Sequence, residues 1–343
     1  MPTDLRMSVL LRSLHLVADH PEKPGVEGSQ RGLPHAHDGL FRLVFGKPVH
    51  AASELRAVLP SELAARLDLD GLTAVDGSFV DSALRWRHSD VLLSTRLDGR
   101  AALVYVLIEH QSKSDPLMPL RMLRYLVRIW DRHLKEHPKV AKLPLIVPIV
   151  VHQGRRPWSS PVELCDLIDV DPVTAAVSHE FLPRFRFLLD DLARIDETEL
   201  RARPLTPAVR LTLLVMRAAP RRTDVAGDLE RSLDTLADAL HGPDGTEILQ
   251  ALLAYIHSVT ETPAQRLHEV MARLGPEGEE VYMTTADMLR AEGRAETLAQ
   301  LLTLRFGALP DSVRARLREA STQQLTAWTE RVLSATSLDE VFT

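Results

Sequence analysis

The run from Asp90 to Glu109, DVLLSTRLDGRAALVYVLIE, constrains the fold more than any other stretch of the chain. Two β-prone segments flank Asp98-Gly99, and an Asp-Gly pair between such segments predicts a two-residue hairpin turn. With that turn Leu97 faces Arg100, and counting outward sets Asp90 opposite Leu107. Strand side chains alternate with period two, so Leu107, Glu109 and Gln111 are expected on one face, and Asp90 on the same face.

Around the hairpin the chain alternates in character. PEKPGVEGSQRGLP, at 21–34, has the Pro, Gly and Ser content of a linker, and the folded unit is expected to begin near His35. Helices are predicted around HDGLFRLVF, over Val49–Val58 and over Ser61–Leu67, with Pro60 breaking the last two apart. LTAVDGSFV reads as a first strand and the hairpin as the second and third. PLMPLRMLRYLVRIWDRHLKEH reads as a long helix with an apolar stripe of Leu120, Leu123, Val127, Ile129 or Trp130, and Leu134. LPLIVPIVVHQG is stiff and β-branched, as a doubly buried fourth strand would be. FRFLLDDLARI offers a last strand, and from about Glu197 onward the spacing is helical, punctuated by RPLTP and HGPDG. The expected division is 1–34 as N-terminal segment and linker, 35–195 as an α/β domain, 196–285 as a helical region and 286–343 as a small helical module. No strict internal repeat is present, so a solenoid is not supported.

Composition narrows the function classes. A net charge of −6 over 343 residues argues against a protein that coats nucleic acid or an anionic membrane with its whole surface, while leaving room for a local basic patch. A single cysteine, Cys165, excludes an intrachain disulfide and a cysteine-cluster zinc site. The longest apolar run, Leu143–Val151, is about half of the roughly 20 residues that span a bilayer. Asp4, Arg6 and Arg12 interrupt the apolar start, so no signal-peptide core is expected and cytoplasm is the default location. There is no P-loop, no dinucleotide glycine fingerprint and no nucleophile elbow.

The hairpin carries the chemistry. Two carboxylates at the facing ends of adjacent strands, Asp90 and Glu109, are a way to build a Mg²⁺ site, because that ion takes hard oxygen ligands and keeps waters. Gln111 would then orient the attacking water or a phosphate oxygen. The competing reading makes Asp90 a surface residue and Glu109 the partner of a helix arginine. On the long helix Arg121, Arg124, Arg128, Arg132 and Lys135 form a basic stripe, which is either a solvated face or a contact to the DNA backbone; Arg155 and Arg156, after the fourth strand, are further candidate phosphate contacts. His37-Asp38 lacks the later histidines of a His-Asp metal phosphohydrolase, and Asp38 is expected to cap the first helix. His110 falls on the opposite face from Glu109, and His152 is read as structural.

Several separated motifs, HDGLFRLVF, LPSELAARLDLDGLTAVDGSFVDSALRWRHSDVLLS, VLIEHQSKSDPLMPLRMLRYLVRIWDRHL and LIVPIVVHQGRRPW, occur in the order that resembles the Rpn family of recombination-promoting nucleases, grouped with YhgA-like transposases. The resemblance covers roughly Pro34 to Leu192. It implies a PD-(D/E)XK restriction-endonuclease-like core, helix, three strands, helix, strand, with a mixed sheet flanked by helices and an all-helical C-terminal region. It also implies a Mg²⁺-dependent DNA endonuclease that promotes recombination or mobile-element activity, with Asp90 and Glu109 as metal ligands and Asp90, Glu109 and Gln111 as the catalytic set. Gln111 stands where the superfamily has lysine; Lys113, of the same parity, could substitute weakly. Asp38 opens the domain in the family, and Glu54 is either an auxiliary acid toward the metal or part of a solvated helix face. The alternative is an inactive nuclease fold that binds DNA or protein. The tail from Ala295 resembles a small helical module whose expected use is helix packing or homo-oligomerisation.

Overall fold

A computed structural model describes residues 36–75, 91–109 and 114–342, without the side chains of 36–38 and 105–109. The chain opens with α1 (Ala36–Phe45), α2 (Pro48–Val58) and the short α3 (Ser61–Ala64), followed by β1 (Thr73–Ala74), β2 (Val91–Leu97) and β3 (Arg100–Glu109). Because α1 starts at Ala36, Asp38 falls inside its first turn rather than at the expected cap. The hairpin forms as its turn chemistry dictates. Asp98 and Gly99 both take positive φ, 48° and 78°, as a type I′ turn requires, and Leu97 pairs with Arg100. The Arg66 guanidinium binds the Asp98 carboxylate, and Asp98 N donates to the Arg66 carbonyl at 3.1 Å, which pins the turn to the segment after α3.

The long α4 (Met118–Glu136) carries the chain back so that β4 (Leu145–His152) lies parallel to β3, and β5 (Leu188–Asp191) adds parallel to β4. Five strands in the order β1-β2-β3-β4-β5 make a mixed sheet, antiparallel at one side and parallel at the other. β4 is buried on both faces: Val147, Ile149 and Val151 enter one core, Ile146 and Val150 another. The second core belongs to α4, whose buried stripe is Met118, Met122, Tyr125, Leu126 and Ile129. This corrects the stripe expected from sequence in part: Ile129 belongs to the buried face as expected, while Val127 and Leu134 are 44% and 41% exposed. The helix has two apolar stripes of helical spacing, and the wider methionine and tyrosine side chains fill the sheet face.

After the short α5 (Pro172–Ser178) and β5, the helices α6 (Glu197–Ala202), α7 (Pro207–Ala218), α8 (Ala226–Glu230), α9 (Leu233–Leu240), α10 (Gly245–Val259) and α11 (Ala264–Ala272) close over the other face. α7 is apolar around most of its circumference and is buried accordingly, from Ala208 through Met216 apart from Arg210. One core joins α1, α2, the sheet and these helices. The next helix, α12 (Pro276–Phe306), is 31 residues long, about 46 Å at helical rise. Its first half packs Val281 into the main core; its second half joins α13 (Asp311–Arg318), α14 (Thr322–Arg331) and α15 (Leu338–Val341) around Leu298, Leu302, Leu325 and Trp328 in a core of their own. No side chain of residues 286–294 is buried. Among the described residues no helix is long and apolar enough to cross a membrane.

Candidate active site

The parallel strands end together. Glu109, the last residue of β3, is in register with His152 of β4, and His152 with Asp191 of β5. His152 is 1% exposed; its Nε2 donates to the Arg156 carbonyl at 3.1 Å, and its ring meets Trp158 edge-on at 5.2 Å. A side chain at Gly154 would place Cβ 2.5 Å from His152 Nε2, so the turn after β4 needs glycine to let the ring reach that carbonyl. Asp191 accepts from Trp158 N at 2.8 Å and Ala193 N at 3.0 Å, with Arg194 Nε 3.3 Å away. The hairpin register is described as far as Val91 opposite Val106. Asp90, Gln111 and Lys113 lie outside the described residues, as do the side chains of Glu109 and Asp38.

Glu54 is not on a solvated face. It is 4% exposed, against Val151 of β4, beside a cavity with about 10 Å³ of water-sized space lined also by Phe45, Leu55, Val58 and Ile149. Arg203 bonds Asp190 through both terminal nitrogens, at 3.1 and 2.8 Å, while its approach to Glu54 is 3.6 Å. Burial, then the negative charge of Asp190, pushes the Glu54 carboxyl well above the usual range, with Arg203 opposing. Arg203 lies nearer Asp190 than Glu54, so its charge offsets the burial of Glu54 only in part.

The candidate DNA contacts divide. Arg121 is half-buried and 2.9 Å from Asp115. Arg124 is exposed, and Arg128 is half-buried with one terminal nitrogen that has no hydrogen-bond partner among the described residues. Arg155 and Arg156 are exposed in the turn after β4. Beside them stand residues that sequence reading passed over. Arg194 donates to the Trp158 carbonyl at 3.2 Å and Arg221 to the Gly154 carbonyl at 3.2 Å. The one signal in sequence was Asp191 itself, an acid closing an apolar run as Glu109 does. Burial together with Asp166 and Glu163 pushes the Cys165 thiol up, the wrong direction for a nucleophile. Among the described residues no cluster of three His, Cys, Asp or Glu could hold a metal.

The family model described as "Putative transposase, YhgA-like" matches residues 35–246, from α1 through the sheet to the start of α10. The chain belongs to the YhgA-like transposase family. Recombination-promoting nuclease RpnD of Escherichia coli O157:H7 is 40% identical over 143 residues, 40% of this chain and 53% of that protein. Against RpnD, then, the chain spans about half the relative's length. Recombination-promoting nuclease RpnA of E. coli K12 is 31% identical over 263 residues, 75% of this chain and 84% of the relative. The inactive recombination-promoting nuclease-like protein RpnE, also from K12, is 29% identical over 260 residues, 75% of this chain and 82% of its own. No solved structure matches. Membership of the YhgA-like family fits the motif order read from sequence and extends beyond Leu192 into the helices that cover the sheet.

Proposed function

We propose that the chain is a metal-dependent DNA endonuclease built on a PD-(D/E)XK core, hydrolysing phosphodiester bonds in the service of recombination or mobile-element activity. One observation carries this reading: in a chain whose relatives are named recombination-promoting nucleases, β3 ends at Glu109, in register with His152 and through it Asp191. The order of elements, helices, three strands, helix, strand, agrees with that core. The donor set suits Mg²⁺, since the Asp90 and Glu109 carboxylates are hard oxygen ligands and β2 begins at Val91, directly after Asp90.

Asp90 and Glu109 would hold the ion. Bound there, it would polarise the scissile phosphodiester and lower the pKa of a coordinated water. The Gln111 amide would accept a hydrogen bond from the attacking water and aim it; being neutral, it positions without neutralising charge, as a lysine would. Arg155 and Arg156 would grip the flanking backbone without reading bases. A plasmid-nicking assay with Mg²⁺ on the wild type, Asp90→Ala and Glu109→Gln tests the reading: both variants should lose at least about a hundredfold in rate. Equal cleavage by all three proteins would overturn it.

A second reading rests on RpnE, a relative named inactive that covers most of the chain, and on Gln111 in the lysine position. In that case the fold binds DNA without cutting it. The wild type would then show DNA binding and no nicking at any Mg²⁺ concentration.

A further inference from the structure

Beyond the ends of β4 and β5, guanidinium groups from two separate segments are tied to the turns that follow those strands, and the turn after β4 adds two arginines of its own. Arg221, just past α7, donates through Nη2 to the Gly154 carbonyl at 3.2 Å and through Nη1 to the Arg217 carbonyl. Arg217 donates through Nε to the Ile195 carbonyl at 2.8 Å. Arg194 reaches the Trp158 carbonyl at 3.2 Å and sits 3.3 Å from Asp191. Arg155 and Arg156, exposed, follow Gly154 directly.

Arg194, Arg217 and Arg221 are held by main-chain carbonyls, which orient a guanidinium without cancelling its charge, while Arg155 and Arg156 extend the cluster into solvent. Of the five, Arg194 alone has a carboxylate within ion-pair distance among the described residues, and that carboxylate, Asp191, also accepts two backbone amides. Burial and the charge of Arg217 push Arg221 below its usual range, with Asp191 opposing. Like charges drawn together, oriented and short of counter-charge, are what an anion site needs.

We propose that Arg155, Arg156, Arg194, Arg217 and Arg221 form a binding site for a phosphodiester of the DNA strand, so that the helices after the sheet supply part of the substrate grip. Resting on the nuclease reading, this adds where the strand is held: two strand spacings, roughly 10 Å, from the backbone of Glu109. Phosphate contacts of this type are blind to sequence and sensitive to salt.

The test is fluorescence anisotropy of a labelled DNA duplex and its single strand against full-length protein in EDTA, where cleavage does not contribute. The triple variant Arg155→Ala, Arg156→Ala, Arg194→Ala should bind on the order of tenfold more weakly, with a log–log salt dependence shallower by about 2 to 3. A control triple of exposed arginines elsewhere, Arg290→Ala, Arg294→Ala, Arg318→Ala, changes net charge equally and should leave both quantities near wild type. Arg221→Gln, checked by thermal unfolding to be folded, should make the slope shallower by about 1. Unchanged affinity and slope in the first triple, or the same loss in the control triple, would overturn the proposal; so would binding of RNA alone. Nicking by the wild type with unchanged binding in the first triple sinks this site and spares the nuclease reading. Arginine-dependent binding without nicking does the reverse.

Discussion

At the end of β5 each face of the sheet holds one buried aspartate, and the two are neutralised by different means. Asp190 turns to the face covered by α2 and is bonded by Arg203, with Glu54 buried beside it. Asp191 turns to the face of His152 and Trp158, accepting two backbone amides and meeting an Arg194 that is 68% exposed. The first is a closed group, two acids and one guanidinium with almost no exposure to solvent. The second lies at the edge of a group of arginines of which Arg155, Arg156 and Arg194 are exposed to solvent. Adjacent residues on one strand thus serve stability on one face and, under the proposal above, substrate on the other.

The largest expected effect breaks the closed group. Arg203→Leu would leave Asp190 and Glu54 buried without a cation, and stability should fall by about 3 to 5 kcal/mol, read by urea unfolding at neutral pH. A loss under about 1 kcal/mol would mean that the cluster is solvated and that the contrast between the faces is false. Glu54→Gln comes next and has a sign that depends on pH. With its folded pKa raised above the ordinary 4.5, Glu54 stabilises the fold in its protonated form; that contribution is complete below the ordinary value and drains away as pH rises through the raised one. Glutamine imitates the protonated acid, accepting from Arg203 and donating to Asp190. The variant should therefore match wild type near about pH 5 and exceed it by about 1 kcal/mol near about pH 8. A difference that shrinks with rising pH would show Glu54 to be an ordinary ionised carboxylate.

What could be read in sequence follows from how local each cause is. Asp98-Gly99 fixed the hairpin because turn type and register depend on two adjacent residues, and Leu97 opposite Arg100 came out as counted. β4 was legible from its own β-branched run, and β5 from FRFLLDDLARI. The face of α4 was not, because Leu120, Leu123 and Val127 are spaced by threes and fours just as Met118, Met122 and Tyr125 are, and only the sheet chooses between them. Glu54 looked solvated for a similar reason: its partners, Asp190 and Arg203, come from distant segments. The proposed arginine site was legible only in part: Arg155-Arg156 stand out as an adjacent pair, whereas Arg194, Arg217 and Arg221 join them from segments far along the chain that only the fold brings near. Of the proposed catalytic set, Asp90 and Gln111 fall outside the described residues, and for Glu109 the backbone position alone is described.

An effect of similar size to that of Glu54→Gln is expected at Asp191, and it separates the two faces most cleanly. In Asp191→Asn the amide oxygen keeps one backbone donor, Trp158 N or Ala193 N, and loses the other together with the charge that faces Arg194 and Arg221. Stability should fall by about 1 kcal/mol, well short of Arg203→Leu, because one neutral acceptor remains and Arg194, the paired cation, is exposed enough to be hydrated. DNA affinity in EDTA should move the other way, rising by roughly threefold, since removing the carboxylate that pairs with Arg194 leaves Arg194 and Arg221 to a phosphate. Weaker binding in this variant would mean that Asp191 orients the arginines rather than competing with the strand. The open face would then be as tightly constructed as the closed one, with its aspartate a positioning residue.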